Sequence, residues 1–331
     1  MRVTFVSKYP FERRPDGSIT SAGASARLRI LEPALFLSGR GHQINLLTIP
    51  PEERDPKLKL GGDVVVVSKI IDPVALERLA EAAERREIPF VTDICDNRLD
   101  HPTFGPPLRR LAAASQATFC NTREMARVVT ERVPGVRVEV LHEPVEGYPI
   151  QRKPGLGHPI KLIWFGHQDG LPQLRRDYPL ISRLGEERAV VLQIMCGATP
   201  DVLRWVALTN ESPNATVPVS FAPWSPRALR EACRVADVAV LPGSDDDFWR
   251  TKSPNRMLQA LWYGLRVAAY PFPSYRDYAS HCSLDKDTSN ALRTALMDHP
   301  ETDVWADLKR LHSREAVGAA WEKALTKALN F

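Results

Sequence analysis

Two kinds of hydrophobic pattern alternate along the chain. Short runs of mostly apolar, often β-branched residues predict buried strands. Between them, apolar residues recur every three or four positions, which predicts amphipathic helices. We expect strands at 2–7, 43–49, 63–68, 88–92, 117–121 and 137–141, and then at 160–165, 189–195, 217–221, 238–241 and 265–269. Strands that alternate with helices predict an α/β protein with parallel sheets.

The clearest strand–helix–strand unit spans 238–269. Its first strand ends at Pro242, a polar loop follows, and Ser253 is predicted to cap a helix that begins with Pro254. Gly264 ends the helix before the next strand. Such a helix starts at the carboxyl edge of the sheet, where its positive dipole end faces the crevice in which α/β proteins bind ligands.

Polar and basic residues gather at the start of this helix. Lys252 and Arg256 add positive charge to the exposed N–H groups, and Ser253 and Asn255 add hydrogen-bonding groups. The combination predicts a binding site for a diphosphate. The alternative is an ordinary capped helix with solvated basic residues, and the local sequence favours neither.

The segment KSPNRMLQALWYGLRVAAYPFPSY, which starts at Lys252, resembles the donor-binding segment of GT-B glycosyltransferases, especially those of family 4. The segment RLRILEPALFLSGRGHQINLLT, which starts at Arg27, is similar to their first helix and second strand. The resemblance implies two Rossmann-like domains whose parallel sheets face each other across a cleft. It also implies a nucleotide-diphosphate sugar bound at the helix that follows Lys252.

The resemblance implies a set of donor-binding residues: Gly166, His167, Lys252, Ser253, Asn255, Arg256 and Gln259. Gln259 would bind the ribose, and the loop that begins at Gly166 would approach the donor. A basic group near that loop would come from His167, Arg175 or Arg176. Many members of the family carry two glutamates eight positions apart, where this chain has Thr251 and Gln259. Threonine cannot replace a carboxylate, so one contact typical of the family is missing.

Two loops in the first half of the chain are candidate parts of the site. Gly23 and Ala24 begin a helix predicted over 23–38 and, by the resemblance, would let the backbone approach the donor phosphates, with Arg27 one turn further on. The alternative is a helix start that simply contains small residues.

The loop after the strand at 88–92 carries the candidate catalytic residues Asp96 and His101. At the carboxyl edge of the sheet, a carboxylate could orient or deprotonate an acceptor hydroxyl, and the imidazole could do the same or polarise the sugar. Alternatively, Asp96 caps the next helix and His101 is a surface residue.

The acidic triplet Asp245–Asp247 matches a pattern that binds a metal and a diphosphate in another glycosyltransferase fold. The GT-B resemblance instead implies transfer without a metal. We therefore expect no metal site and no cofactor, with the nucleotide sugar as a substrate.

The local composition of the chain predicts where its domains begin and end. A segment rich in proline and glycine follows Pro144, and we expect an N-terminal domain over 1–146, a linker over 147–159, a donor domain over 160–316 and a terminal helix over 317–331 that packs on the first domain.

Five scattered cysteines predict neither disulfides nor zinc. No signal peptide or membrane-spanning run is expected, which predicts a cytoplasmic protein.

The net charge of +4 favours anionic ligands and is compatible with peripheral contact at the inner face of a membrane, but it is too small to indicate nucleic acid. The resemblance implies transfer of a sugar, with retention, to a hydroxyl of a glycan, a lipid-linked sugar or a small molecule. One alternative is a non-catalytic subunit that binds a sugar nucleotide or a partner enzyme. A less favoured alternative is a GT-B epimerase.

Overall fold

The computed structural model describes residues 1–49, 60–151, 155–297 and 304–330. The strands are β1 Arg2–Ser7, β2 Glu12–Arg13, β3 Ile19–Thr20, β4 Gln43–Thr48, β5 Val64–Ser68, β6 Phe90–Ile94, β7 Ala117–Cys120, β8 Val138–Val140, β9 Ile160–Phe165, β10 Val190–Cys196, β11 Val219–Pro223, β12 Val238–Leu241, β13 Arg266–Ala269 and β14 Ser283–Leu284. The α-helices are α1 Ala24–Ala26, α2 Glu32–Gly39, α3 Pro73–Glu84, α4 Gly105–Ala114, α5 Arg123–Arg132, α6 Leu171–Glu187, α7 Pro200–Glu211, α8 Pro226–Val235, α9 Asp247–Arg250, α10 Asn255–Trp262, α11 Pro273–Arg276, α12 Thr288–Met297, α13 Val304–His312 and α14 Arg314–Leu329.

The chain forms two compact units. Unit 1 consists of Met1–Pro144, Thr251–Ser253 and Lys309–Phe331, and unit 2 consists of Val145–Arg250 and Pro254–Leu308. Each unit is built on one six-stranded sheet in which all paired strands are parallel. The predicted α/β class with parallel sheets is therefore confirmed.

In unit 1 the strands lie in the order β4-β1-β5-β6-β7-β8. The chain leaves β1 toward one edge of the sheet and later adds β5 on the other side of β1, so the strand order reverses between these two strands. Ser7 at the end of β1 is paired with Ser68 at the end of β5, and Ser68 with Asp93 of β6. Ligands of open α/β sheets bind outside the carboxyl ends of the strands at such a reversal.

In unit 2 the order is β11-β10-β9-β12-β13-β14, and the reversal lies between β9 and β12. The sequence predicts five of these strands. It misses β14 because Ser283–Leu284 is too short to show a hydrophobic pattern.

The core of unit 1 includes a face of the C-terminal helix α14. Trp321 is fully buried, with its ring 6.1 Å from that of Phe5 and 5.2 Å from that of Phe119. Gly318, one turn earlier, lies against Phe36 of α2, and a Cβ atom at this glycine would come within 2.1 Å of the Phe36 ring. The glycine therefore sets how closely α14 approaches α2.

A buried ion pair crosses the same core. The guanidinium of Arg29 donates to Asp93 through Nη2 at 2.5 Å and through Nε at 3.1 Å, and both side chains are fully inaccessible to solvent. Asp93 also accepts from Ser68 at 2.7 Å. Arg29 Nη1 donates to the carbonyl of Leu141, and the guanidinium lies 5.1 Å from the Trp321 ring. The pair thus joins the ends of β5 and β6, the residue after β8 and the C-terminal helix.

The prediction of one regular helix over 23–38 is wrong in detail. A π-helical stretch, Arg27–Leu31, separates α1 from α2. The extra residue per turn changes which side chains face the sheet. As a result Arg29 is buried, whereas Leu35, which the pattern places on the apolar face, is 46% exposed.

We expect Gly318→Ala to destabilise unit 1 by about 1–3 kcal/mol, because overpacking at Phe36 outweighs the gain in helix propensity. Denaturant unfolding measures the change. In a Phe36→Ala background the added methyl group has room, so the same substitution there should be neutral or stabilising. An equal loss of stability in both backgrounds would contradict the contact.

We expect Arg29→Met to lower the free energy of unfolding by about 3–5 kcal/mol, since it leaves the Asp93 carboxylate buried without its cation. The double variant Arg29→Met with Asp93→Leu removes both charges, and its free energy of unfolding should fall by less than that of Arg29→Met alone. If the double variant instead loses the sum of the two single losses, the pair is not coupled as the structure shows.

Candidate functional site

At the strand-order reversal of unit 2, two predicted donor residues come together. Gly166 follows β9 with φ +156°, and a Cβ atom there would lie 3.1 Å from Nη1 of Arg256 in α10. The Arg256 guanidinium also lies 5.9 Å from the ring of Trp249, and its charge acts to lower the pKa of Tyr275, which burial raises. The absence of a side chain at Gly166 therefore lets this cation lie against the loop after β9.

The start of α10 differs from the sequence expectation. Pro254, not Ser253, occupies the N-cap position, and no side chain caps the helix. Asn255 and Arg256 are its first two residues and are half-buried. With the first N–H groups uncapped by a side chain, the positive end of this two-turn helix is available to an anion.

Gln259 is buried and already hydrogen-bonded to the backbone of Glu146. Its Oε1 accepts from the Glu146 N–H at 2.8 Å, and its Nε2 donates to the Glu146 carbonyl at 3.0 Å. Tyr263 donates to the same carbonyl at 3.2 Å. The amide therefore fixes the segment that leads into the predicted linker, and one N–H and one lone pair remain for any other partner.

The other basic candidates of this loop have partners in unit 2. His167 is exposed and lies 3.2 Å from Asp169. Arg175 pairs with Asp201 at 2.7 Å. Arg176 pairs with its neighbour Asp177 at 2.6 Å and donates to the Gly243 carbonyl at 2.7 Å.

The segment Thr251–Ser253 belongs to unit 1, where all three residues interact with other residues of that unit. The Thr251 carbonyl accepts from the Thr122 hydroxyl at 3.2 Å. Lys252 Nζ donates to Oδ1 of Asp96 at 2.5 Å. The Ser253 side chain lies close enough to Glu143 to lower the pKa of that carboxyl, which burial raises. Lys252 and Ser253 thus belong to unit 1, whereas Asn255, Arg256 and Gln259 belong to unit 2.

Asp96, the candidate catalytic carboxylate, is buried in the loop after β6. Lys69 Nζ contacts its Oδ2, while Lys252 occupies Oδ1. His101 lies elsewhere in the same loop, stacked on Phe104 with 3.6 Å between ring centroids, and its Nδ1 accepts from the Thr103 N–H at 3.2 Å. A role for His101 in proton transfer would therefore use Nε2.

The small residues of the β1–α1 loop support local packing. Gly23 is the N-cap of α1, and a Cβ atom there would come within 2.7 Å of the Tyr9 ring. Ala24 is the first residue of that helix. Arg27 is buried and donates at 3.2 Å to each of the carbonyls of Ser21 and Ala22.

Lys69 is a residue of this site that the sequence pattern does not single out. It directly follows the apolar run that predicts β5, so its place at the carboxyl edge could have been inferred. Its contact with Asp96 could not have been inferred from the sequence, because the two residues are brought together only by the pairing of β5 with β6.

The acidic triplet is engaged with neighbouring groups. Asp245 pairs with Lys286 at 2.5 Å, and Asp246 accepts from the Trp249 N–H at 2.9 Å. Among the described residues no group of three or more His, Cys, Asp or Glu side chains is arranged to hold a metal ion. No helix in the described ranges is both long and apolar enough to cross a bilayer.

No protein-family model matches the sequence, and no curated protein matches it. Solved structures match along almost the whole chain. The apo form of the lipopolysaccharide outer core galactosyltransferase WaaB is 12% identical with a TM-score of 0.69, covering 99% of each chain. A glycosyltransferase from Rickettsia africae ESF-5 is 9% identical with a TM-score of 0.71, covering 99% of each chain. Anabaena HepE in complex with UDP is 12% identical with a TM-score of 0.67, covering 99% of this chain and 100% of its own.

These likenesses show the fold, which is that of the GT-B glycosyltransferases. The predicted fold class is therefore confirmed. At such low identity the comparisons identify neither a family within the fold nor a substrate.

We expect Gln259→Glu, which restores the residue typical of family 4, to destabilise the protein by about 1–3 kcal/mol at neutral pH, because a carboxylate oxygen would face the Glu146 carbonyl. The new carboxyl should have a raised pKa in the folded state, so the loss should shrink as the pH falls through that pKa. Urea unfolding across pH measures both. The exposed Gln151→Glu is the matched control and should show neither effect, and a stable Gln259→Glu variant would contradict the assigned bonds.

Proposed function

We propose that the protein is a glycosyltransferase that moves a sugar from a nucleotide-diphosphate sugar to an acceptor hydroxyl. The observation that carries this proposal is Arg256, a half-buried cation held against the Gly166 loop at the start of α10, at the strand-order reversal of unit 2. HepE, which has the same fold, was solved with UDP bound, and this supports a nucleotide ligand.

The donor diphosphate would bind at the N–H groups that open α10, with Asn255 and Arg256 as side-chain partners and Gly166 and His167 from the facing loop. Arg256 would be the principal cation of this site, because Lys252 is bonded to Asp96 and lies in unit 1. Gln259 retains one donor and one acceptor for a ribose hydroxyl.

The charge that develops on the leaving diphosphate would be stabilised by Arg256 and the helix dipole, which act most strongly where they are already in place before reaction. This would allow transfer without a metal and with no cofactor. Asp96 and His101 are the proposed groups that orient or deprotonate the acceptor hydroxyl, and Gly23, Ala24 and Arg27 would shape the loop beside it. Retention of anomeric configuration and a cytoplasmic location, with contact at the membrane surface, belong to the same proposal.

A specific observation favours a second candidate, a non-catalytic subunit that binds the nucleotide sugar. The chain has no glutamate at Thr251 or Gln259, the Thr251 side chain is buried, and the Gln259 amide holds the Glu146 backbone. A protein of this kind would bind the donor without turning it over.

We expect one of UDP, GDP, ADP and TDP, or its sugar, to raise the melting temperature of the wild-type protein, because a ligand that binds only the folded state stabilises it by mass action. Arg256→Ala should weaken the dissociation constant roughly 10- to 100-fold, the loss expected for a charge-assisted hydrogen bond. Thermal shift followed by calorimetry gives both values.

Arg227→Ala, which removes an exposed arginine of α8 in the same unit, is the matched control and should bind like the wild type. If no nucleotide stabilises the wild type, the proposed function fails. Release of the nucleotide diphosphate from the bound donor sugar distinguishes the enzyme from the non-catalytic subunit, since only the enzyme transfers or hydrolyses the sugar.

A further inference from the structure

Four basic side chains gather at the carboxyl edge of the unit 1 sheet: Lys8, Lys69, Arg98 and Lys252. Lys8 and Lys69 directly follow Ser7 and Ser68, the paired last residues of β1 and β5. Arg98 lies two residues after Asp96 in the loop after β6, and Lys252 reaches that loop through its 2.5 Å bond to Asp96. The cluster therefore lies at the strand-order reversal of unit 1, where α/β sheets bind ligands.

Asp96 links two members of the cluster, with one oxygen on Lys69 and the other on Lys252. The neighbouring carboxylates are otherwise engaged, Asp93 with Arg29 and Asp100 with Arg132. Glu143 is a second carboxyl group that interacts with Lys69, and burial is the main cause that raises its pKa.

The basic groups act on one another. Burial is the main cause that lowers the pKa of Lys69, and the charges of Lys252, Arg98 and Lys8 lower it further. Burial and the charge of Arg98 likewise lower the pKa of Lys8. Like charges held this close are costly in the unliganded protein, and a bound anion would relieve that cost.

The backbone at Lys69 is itself strained. Its φ is +59°, in the left-handed region that residues with a Cβ atom seldom adopt. This conformation occurs at the residue that leaves β5 and contacts Asp96. A strained conformation of this kind persists only where the surrounding structure enforces it, and such residues cluster at ligand-binding sites.

We propose that Lys8, Lys69, Arg98 and Lys252 form a binding site for a phosphoryl group carried by the acceptor. The assignment of this group to the acceptor rests on the proposed function, in which unit 2 holds the donor. A phosphate monoester carries nearly two negative charges and three acceptor oxygens at neutral pH, which suits a group of ammonium and guanidinium donors. Asp96 keeps two of the lysines in place, and the acceptor is then a phosphorylated sugar or polyol rather than a neutral one.

The test measures inorganic phosphate binding to the full chain by calorimetry and thermal shift, at constant ionic strength set with sodium chloride. We expect phosphate to bind and stabilise the wild type. Lys8→Met and Arg98→Gln should each weaken phosphate affinity about tenfold, as expected for one charge-assisted contact. Both side chains are half-buried at the rim, so these variants should fold even if Lys69→Met does not. Lys323→Met, which removes an exposed lysine of α14, is the matched control and should bind phosphate like the wild type.

Binding of the stabilising nucleotide diphosphate is measured on the same variants. If the wild type, Lys8→Met and Arg98→Gln bind phosphate with equal affinity, the proposed phosphate site is wrong. Nucleotide affinity that falls in parallel with phosphate affinity would assign the cluster to the donor and overturn its assignment to the acceptor. If no nucleotide binds but phosphate affinity still depends on Lys8 and Arg98, the proposed function fails while the phosphate site stands.

Discussion

The buried pair of Arg29 and Asp93 is the interaction on which the architecture of unit 1 depends. Taking two charges out of water is costly, and the cost is offset only when every remaining donor and acceptor is satisfied. Here Ser68 and the Leu141 carbonyl supply the further bonds, and Trp321 covers the guanidinium. The β5, β6 and β8 ends and the C-terminal helix are thereby held at one point. The loop that carries Asp96 leaves the sheet after Ile94, the residue next to Asp93, so its start is fixed by the same pair.

The hydrophobic pattern predicts most of the sheet but not this pair. Apolar runs such as 64–67 and 238–241 are buried strands in the structure, because runs of that length and composition have few other stable environments. The helix after β1 is different, since its π-helical stretch changes the phase of the apolar stripe. Regular spacing would place Arg29 toward solvent, and its burial depends on Asp93, which is 64 residues away in the chain. A charged residue whose partner is so remote gives no local signal.

The candidate site shows the same division between local and non-local information. Local rules identify the start of α10 to within a residue or two, and they identify Arg256 and Gly166 as neighbours of the sheet edge. They assign Ser253 to the helix cap because serine is a favoured capping residue. In the structure its side chain lies near Glu143, 110 positions earlier, and Pro254 takes the N-cap position. Lys252 and Asp96 likewise have opposite charges, but only the fold brings them into contact.

The grouping of four basic side chains near Asp96 also affects how stability and ligand binding are related in this protein. Burial lowers the pKa of both Lys69 and Lys8, and neighbouring positive charges lower each pKa further, so the cluster holds repulsion that a protein selected for stability alone would have removed by substitution. The Arg29–Asp93 pair and the packing of α14 supply the stability that tolerates such a cluster. Binding of a dianion would then gain both new hydrogen bonds and relief of repulsion, and it would gain them only when the charge of the ligand is present. Such a site would therefore discriminate a phosphorylated ligand from its neutral parent mainly by charge, because the neutral molecule would leave the repulsion in place.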